Sequence, residues 1–208
     1  GYVLLANLGY IPLALYLNRF SKSREKVHPI TVFTVGYALT AYAVIASLVG
    51  RGSEIYLAWV GVTVPLLATA LFTFSAWYFR AGKFAFGWTW ASALTFAIAF
   101  GQSLTLFKVP AAYDALAWVG LATVYMLIER TLNFVSQKSR TEASPTWWSR
   151  FRQPLMIFAL GLAALGLSLS LPDTFGAFGD AKLENFLPPI LAQSLLVMLA
   201  IASARMAN

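Results

Sequence analysis

The ionisable side chains that could carry chemistry in this sequence are few, and they fall at the ends of its apolar runs. Asp114 begins one such run, the pair Glu129 and Arg130 ends it, and the other carboxylates lie in polar gaps. Burying an ionisable group inside a membrane costs free energy, and such groups are usually functional. The depth of each group in the membrane therefore indicates whether it can carry chemistry. We expect interface water to reach Asp114 and Glu129, and we weigh a buried relay as the alternative. No two carboxylates can be placed at one depth inside the bundle, which leaves general acid–base catalysis there without a pair of groups.

A second set of polar side chains lies deeper in the apolar runs and carries no charge. This set consists of Asn7, Gln102, Ser103, Gln193 and Ser194. Amides and hydroxyls at such depths could line a path for a solute, and these five residues form the candidate path. The alternative is that they bond across helices as ordinary polar contacts, worth about 0.6–2 kcal/mol each.

The sequence has few residues of the types that hold cofactors or act as nucleophiles. The chain has no cysteine, and its one histidine, His28, lies in a basic gap directly before Pro29. Without thiolates or intramembrane histidines, the chain alone cannot hold an iron–sulfur cluster or a haem through histidine. The last apolar run also has no lysine for a retinal Schiff base. We therefore expect no enzyme activity, no metal and no cofactor.

The polar residues are positioned by apolar runs that are long enough to cross a membrane. Hydrophobic residues make up 59% of the 208 positions and charged residues 11%, a balance that is incompatible with a solvated surface. About 20 helical residues cross a hydrocarbon core of ~30 Å. Seven spans are predicted, at about 1–17, 30–50, 55–79, 84–107, 111–128, 154–171 and 186–204. The predicted fold class is an all-α membrane protein, a single domain that forms a seven-transmembrane helix bundle.

The basic residues predict the orientation of these spans. Seven crossings place twelve of the fifteen Lys and Arg residues on one side of the membrane and three on the other. Cytoplasmic loops are enriched in Lys and Arg, so the N-terminus is predicted outside and the C-terminus inside. Because the cations lie in the gaps and form no stripe or tail, the net charge of +7 indicates topology rather than nucleic-acid binding. Since the first residue is Gly1 rather than methionine, we expect a processed chain or a piece of a longer one.

The fourth apolar run carries a stripe of small residues. Ala93, Ala97 and Gly101 recur four positions apart, which places them along one face of a helix. A face of this kind lets two helix backbones approach closely. We therefore expect these three residues to form a helix-packing contact.

The residues before the sixth run combine aromatic rings with arginines. The stretch 145–152 holds Trp147, Trp148, Arg150, Phe151 and Arg152. Such a composition suits an amphipathic segment in the headgroup layer, where each arginine gains about 1 kcal/mol from anionic lipid. The alternatives are an ordinary loop packed on the bundle and a docking site for a partner.

A short internal repeat organises the middle of the chain. Leu-Ala-Trp-Val-Gly occurs at 57–61 and again at 116–120, and Ala-Leu-Thr precedes it at 38–40 and at 93–95. This order predicts half a hairpin followed by three hairpins, which pair the second run with the third, the fourth with the fifth and the sixth with the seventh. The units resemble those of large, uncharacterised bacterial membrane proteins built of tandem transmembrane helical hairpins. The resemblance implies this architecture and a bacterial cytoplasmic membrane, and it implies nothing about mechanism.

Three functional hypotheses follow from these features. The leading one is a non-enzymatic integral membrane subunit or scaffold of a larger assembly, with membrane lipid and other membrane protein subunits as partners. The alternative is a transporter or channel for a neutral or lipidic solute, which the candidate path would serve. The third is an accessory subunit that holds pigment or lipid in a bioenergetic complex through aromatic and backbone contacts.

Overall fold

The described part of the chain is almost entirely helical, with a short connection at 107–110. The computed structural model describes residues 27–49, 55–78, 85–138, 150–177 and 183–205. Its six α-helices are α1 (Val27–Val49), α2 (Ile55–Tyr78), α3 (Ala85–Leu106), α4 (Asp114–Lys138), α5 (Arg152–Ala177) and α6 (Leu183–Arg205), and a 3-10 turn at Ala111–Tyr113 leads into α4. No strand occurs within these ranges. The predicted all-α fold is confirmed, and the first predicted span, with Asn7, lies outside the described residues.

Three of the described helices are long and apolar enough to cross a membrane. Their apolar stretches are Trp59–Tyr78 in α2, Ala111–Val135 through the 3-10 turn and α4, and Arg152–Leu171 in α5. Shorter apolar stretches occur in α1 and α6. The helix α3 has 22 residues but interrupts its apolar side chains with Thr, Ser, Trp and Gln. The three helices that are long and apolar enough to cross a membrane are compatible with an integral membrane protein.

The helices extend beyond two of the predicted runs. The helix α4 continues ten residues past the predicted end at 128, and α5 continues six residues past 171. An apolar run ends at its first charged residue, whereas the backbone hydrogen bonds of a helix are indifferent to side-chain charge. Glu129 and Arg130 consequently lie within α4 and not at its end.

The tightest packing joins α2 to α3 and α4 to α5, while α1 packs on α2 and α6 packs on both α4 and α5. The repeat predicted hairpins of α1 with α2, of α3 with α4 and of α5 with α6. The helices α1 and α2 do pack together, as do α5 and α6, but the most extensive packing pairs α2 with α3 and α4 with α5. The two repeat glycines also differ in surroundings. A Cβ on Gly61 would lie 3.5 Å from Gln102 Oε1, whereas a Cβ on Gly120 would meet nothing within 4 Å. The two copies of the repeat motif thus have different surroundings at this glycine.

Hydroxyl groups connect α2 with α3 across their interface. The hydroxyl oxygens of Thr69 and Thr95 are 2.8 Å apart, and those of Thr73 and Ser92 are 2.6 Å apart. Hydrogen bonds between membrane helices contribute about 0.6–2 kcal/mol each. The hydroxyl groups of Ser92 and Thr95 in α3 are therefore satisfied inside the bundle, where they help to align α3 with α2.

A tyrosine connects α4 with the same central helix. The Tyr125 hydroxyl of α4 donates a 2.6 Å hydrogen bond to the Ala93 carbonyl of α3. Tyr125 is 2% exposed and lies in a core with Leu121, Leu155 and Ala159. This core holds α4 and α5 together on one side. The face that they share with α6 lines a cavity.

Candidate functional site

A cavity of about 930 Å³ lies between α4, α5 and α6. Its wall is largely aliphatic, with Met126 from α4, Leu160 from α5 and Leu196 from α6. Arg152 and Leu171, at the two ends of its α5 wall, are about 28 Å apart at 1.5 Å per helical residue. That length is close to the ~30 Å thickness of a bilayer hydrocarbon core.

The cavity opens along its side. Met156, Leu160 and Val197 line it, yet they are 57%, 59% and 58% exposed. In a membrane-spanning bundle, exposed aliphatic side chains of this kind face acyl chains. The side opening of the cavity is therefore bordered by aliphatic side chains.

Three charged side chains close one end of this cavity, and we call them the Arg–Glu–Arg cluster (Glu129, Arg130 and Arg152). Arg152 Nε donates a 3.0 Å hydrogen bond to Glu129 Oε1. Arg130 Nε lies 3.6 Å from Glu129 Oε2, which is an ion pair but too long for a hydrogen bond. The same Nε is buried and has no hydrogen-bond acceptor among the described residues. The cluster contains two cations and one anion, so one positive charge is left over.

Helix continuity accounts for the burial of Glu129. Since α4 runs on to Lys138, the carboxylate is carried into the interface with the start of α5, where Arg152 reaches it. Glu129 is only 6% exposed, which is more burial than the expected contact with interface water implies. Burying a carboxylate is tolerable where cations and hydrogen bonds compensate the lost hydration, as the two arginines do here. The adjacent opposite charges at 129 and 130 were the sequence signal for this cluster.

Asp114 behaves differently. It is the first residue of α4 and is only partly buried. An acidic side chain in the first turn is favoured by the helix dipole. Its position at a helix end matches the expectation from the sequence.

The residues of the candidate path lie in different parts of the bundle. Gln193 lines the cavity, whereas Gln102 lies beside Gly61 of α2. The Ser103 hydroxyl donates to the Phe100 carbonyl of its own helix at 2.6 Å. Ser194 is exposed, and Asn7 lies outside the described residues. Of the four that the structure describes, Gln193 is the one that lines the cavity.

The small-residue stripe meets side chains of α4. Ala93 and Ala97 are buried in the core that contains Tyr125. A Cβ on Gly101 would lie 2.9 Å from Trp118 Cη2, so this glycine faces an indole ring and not a helix backbone. The small-residue stripe thus packs against long side chains of α4.

The close approach of two backbones occurs at Gly166 of α5. A Cβ there would overlap Val119 Cγ2 and would lie 3.2 Å from the Ala115 carbonyl oxygen of α4. Sequence reasoning missed this glycine, although Gly166 and Ser170 are four positions apart and form the kind of small-residue pair that permits close helix packing.

The aromatic and basic stretch 145–152 is described at its C-terminal end, and Trp147 and Trp148 lie outside the described residues. Phe151 packs against the α4–α5 core, and Arg152 belongs to the Arg–Glu–Arg cluster. The Arg150 carbonyl accepts a 3.4 Å hydrogen bond from the Thr89 hydroxyl. This end of the stretch therefore contacts the bundle, and its placement in the headgroup layer stays a prediction.

Comparisons of this chain with protein-family models, with curated proteins and with solved structures find no match. Within the described ranges, no group of three or more His, Cys, Asp or Glu side chains could hold a metal ion. The chemistry that the cavity offers is accordingly that of a long apolar wall with guanidinium groups at one end.

Proposed function

We propose that this protein is a non-enzymatic integral membrane protein that holds a membrane lipid in the cavity between α4, α5 and α6. The observation that carries the proposal is the aliphatic wall, which extends for about 28 Å along α5 and is open at its side. An acyl chain is the occupant whose length and polarity suit a wall of this kind. The volume of about 930 Å³ lies within the usual range of ligand sites.

The lining favours a lipid over a water-soluble solute. Away from the Arg–Glu–Arg cluster, Gln193 is the one polar side chain among the described residues that line the cavity. A polar solute would leave its hydrogen-bonding groups unsatisfied along most of that wall, at about 1–3 kcal/mol for each buried group. A lipid tail has no such groups to satisfy.

We propose further that the chain has seven spans with its N-terminus outside, in a bacterial cytoplasmic membrane. The distribution of Lys and Arg supports this orientation. Single cysteines at Ser53 and Ser139 should react with an impermeant thiol reagent from opposite sides of the membrane. Labelling of both from the same side would contradict the orientation.

The hypothesis of a subunit in a larger assembly stays a prediction. A lipid held between helices is compatible with it, because such a lipid can fill the space between this chain and other membrane subunits. Intact mass measurement of the complex from native membranes would show which chains accompany this protein.

The lipid-binding proposal is tested by filling the cavity. The full chain is purified in mild detergent and its retained lipid is counted by native mass spectrometry as the detergent wash is extended. Leu160→Trp places an indole in the cavity, and Ile157→Trp is the matched control, since Ile157 is 45% exposed on the same helix and does not line the cavity. We expect the unmodified protein and Ile157→Trp to retain lipid, and Leu160→Trp to lose it. Equal retention by all three proteins would refute the proposal.

A further inference from the structure

The charged end of the cavity indicates which headgroup the lipid carries. We propose that Arg130 and Arg152 bind the phosphate of an anionic phospholipid whose acyl chains lie in the cavity. This inference rests on the proposed lipid-binding function and adds the headgroup class to it.

The charge balance of the Arg–Glu–Arg cluster is the first argument. Glu129 neutralises one of the two guanidinium groups, and the remaining positive charge stands at the edge of an apolar space. Charge interactions are strong where the surroundings are poorly polarisable, so an anion at this position is favoured. An anionic headgroup supplies the missing negative charge, whereas a zwitterionic headgroup brings its own cation.

The second argument is that Arg130 is the guanidinium group that Glu129 holds less closely. Its Nε is buried, lies 3.6 Å from the nearer carboxylate oxygen and has no hydrogen-bond acceptor among the described residues. Guanidinium groups bind phosphate oxygens through two parallel hydrogen bonds, which a carboxylate at this distance does not provide. A phosphate oxygen can approach the exposed part of the Arg130 side chain, whose buried Nε is not hydrogen-bonded to Glu129.

The third argument is the position of the cluster relative to the apolar wall. Arg152 is the first residue of an apolar stretch that ends at Leu171, so a phosphate at Arg152 leaves its chains pointing along α5. The side chains of Arg130 and Arg152 are 32% and 40% exposed, which leaves them accessible to a headgroup. The wall is longer than half of a ~30 Å hydrocarbon core, so it accommodates the tails of one leaflet.

The test compares two lipids with identical acyl chains. The full chain is delipidated in detergent and titrated with phosphatidylglycerol or phosphatidylcholine, and the bound lipid is measured by native mass spectrometry. We expect phosphatidylglycerol to bind about tenfold more tightly, which corresponds to roughly one weak charge-assisted hydrogen bond. Arg130→Gln should abolish most of that preference. Arg130→Lys keeps the charge and loses the planar guanidinium group, so it should keep part of the preference for phosphatidylglycerol. This variant replaces Arg130→Gln in the test if Arg130→Gln does not fold.

Lys108→Gln is the matched charge control. Lys108 lies in the connection between α3 and α4, at the other end of α4, and does not line the cavity. This variant loses the same charge, and it should keep the preference for phosphatidylglycerol. A loss of preference equal to that of Arg130→Gln would show that overall charge, and not the cluster, attracts the lipid, and would overturn the inference.

The remaining outcomes separate the two proposals. Equal affinity for the two lipids, together with lipid loss in Leu160→Trp, would overturn the headgroup inference and leave the lipid-binding function standing. Unchanged binding in Leu160→Trp would overturn the function itself. Displacement of phosphatidylglycerol by an equal concentration of soluble glycerol phosphate would show that the cluster binds free phosphate without the chains, which also overturns the inference.

Discussion

Substitution of Gly166 by alanine tests the closest contact in the bundle. The added methyl would overlap Val119 Cγ2 and would lie 3.2 Å from the Ala115 carbonyl oxygen and 3.4 Å from the Val119 backbone nitrogen. Val119 and Ala115 are both 0% exposed, so neither can move into free space. Relief requires α4 and α5 to separate. Gly161→Ala on the same helix is the matched control, because a Cβ there would meet nothing within 4 Å.

The size of the effect follows from two opposing contributions. Alanine in place of glycine favours a helix by about 1 kcal/mol, and both variants gain this contribution. Overpacking of a well-packed interface costs about 1–3 kcal/mol, and Gly166→Ala alone incurs this cost. The free energy of unfolding should therefore be about 1–3 kcal/mol lower for Gly166→Ala than for Gly161→Ala.

The measurement is unfolding in mixed micelles by increasing the mole fraction of a denaturing detergent, followed by far-ultraviolet circular dichroism. We expect the midpoint to rise or stay level for Gly161→Ala, and to fall for Gly166→Ala relative to that control. Coincident midpoints for the two variants would refute the close approach of α4 and α5 at Gly166. A larger drop for Gly166→Leu would add support, since the clash grows with the side chain.

Three further predictions concern the charged cluster, the core tyrosine and the aromatic stretch. A double-mutant cycle of Glu129→Gln and Arg152→Gln should give a coupling energy of about 1–3 kcal/mol in the unfolding assay, because the hydrogen-bonded carboxylate is buried, and a value near zero would contradict the pair. Tyr125→Phe should lower the free energy of unfolding by about 0.5–1.5 kcal/mol through loss of its hydrogen bond to α3, while Tyr113→Phe, at an exposed position, should have no such effect. A peptide of residues 145–152 should show a blue shift of tryptophan fluorescence on anionic vesicles that fades as salt is added, and no shift at low salt would remove the headgroup-layer prediction.

The sequence by itself determined the helical class of this protein and the approximate length of its helices. Apolar runs separated by charged gaps correspond to α2 and α3 within a residue or two at each end. The physical reason is that backbone groups in hydrocarbon must be satisfied within the segment, so a long apolar run has the helix as its solution. Helix ends were less predictable where the backbone continued past the first charge, as it does beyond Ile128 in α4.

The tertiary structure alone decided which helices are partners and where the site lies. A helix that is apolar on all sides has no stripe to indicate its neighbour, so hydropathy could not show that α2 packs on α3 or that α4 packs on α5. The same holds for Gly166, whose role depends on Val119 of another helix. Glu129 became buried because Arg152 arrives from α5, 23 residues further along the chain. The cavity and its cationic end exist only where three separate helices meet, and no single stretch of sequence contains that information.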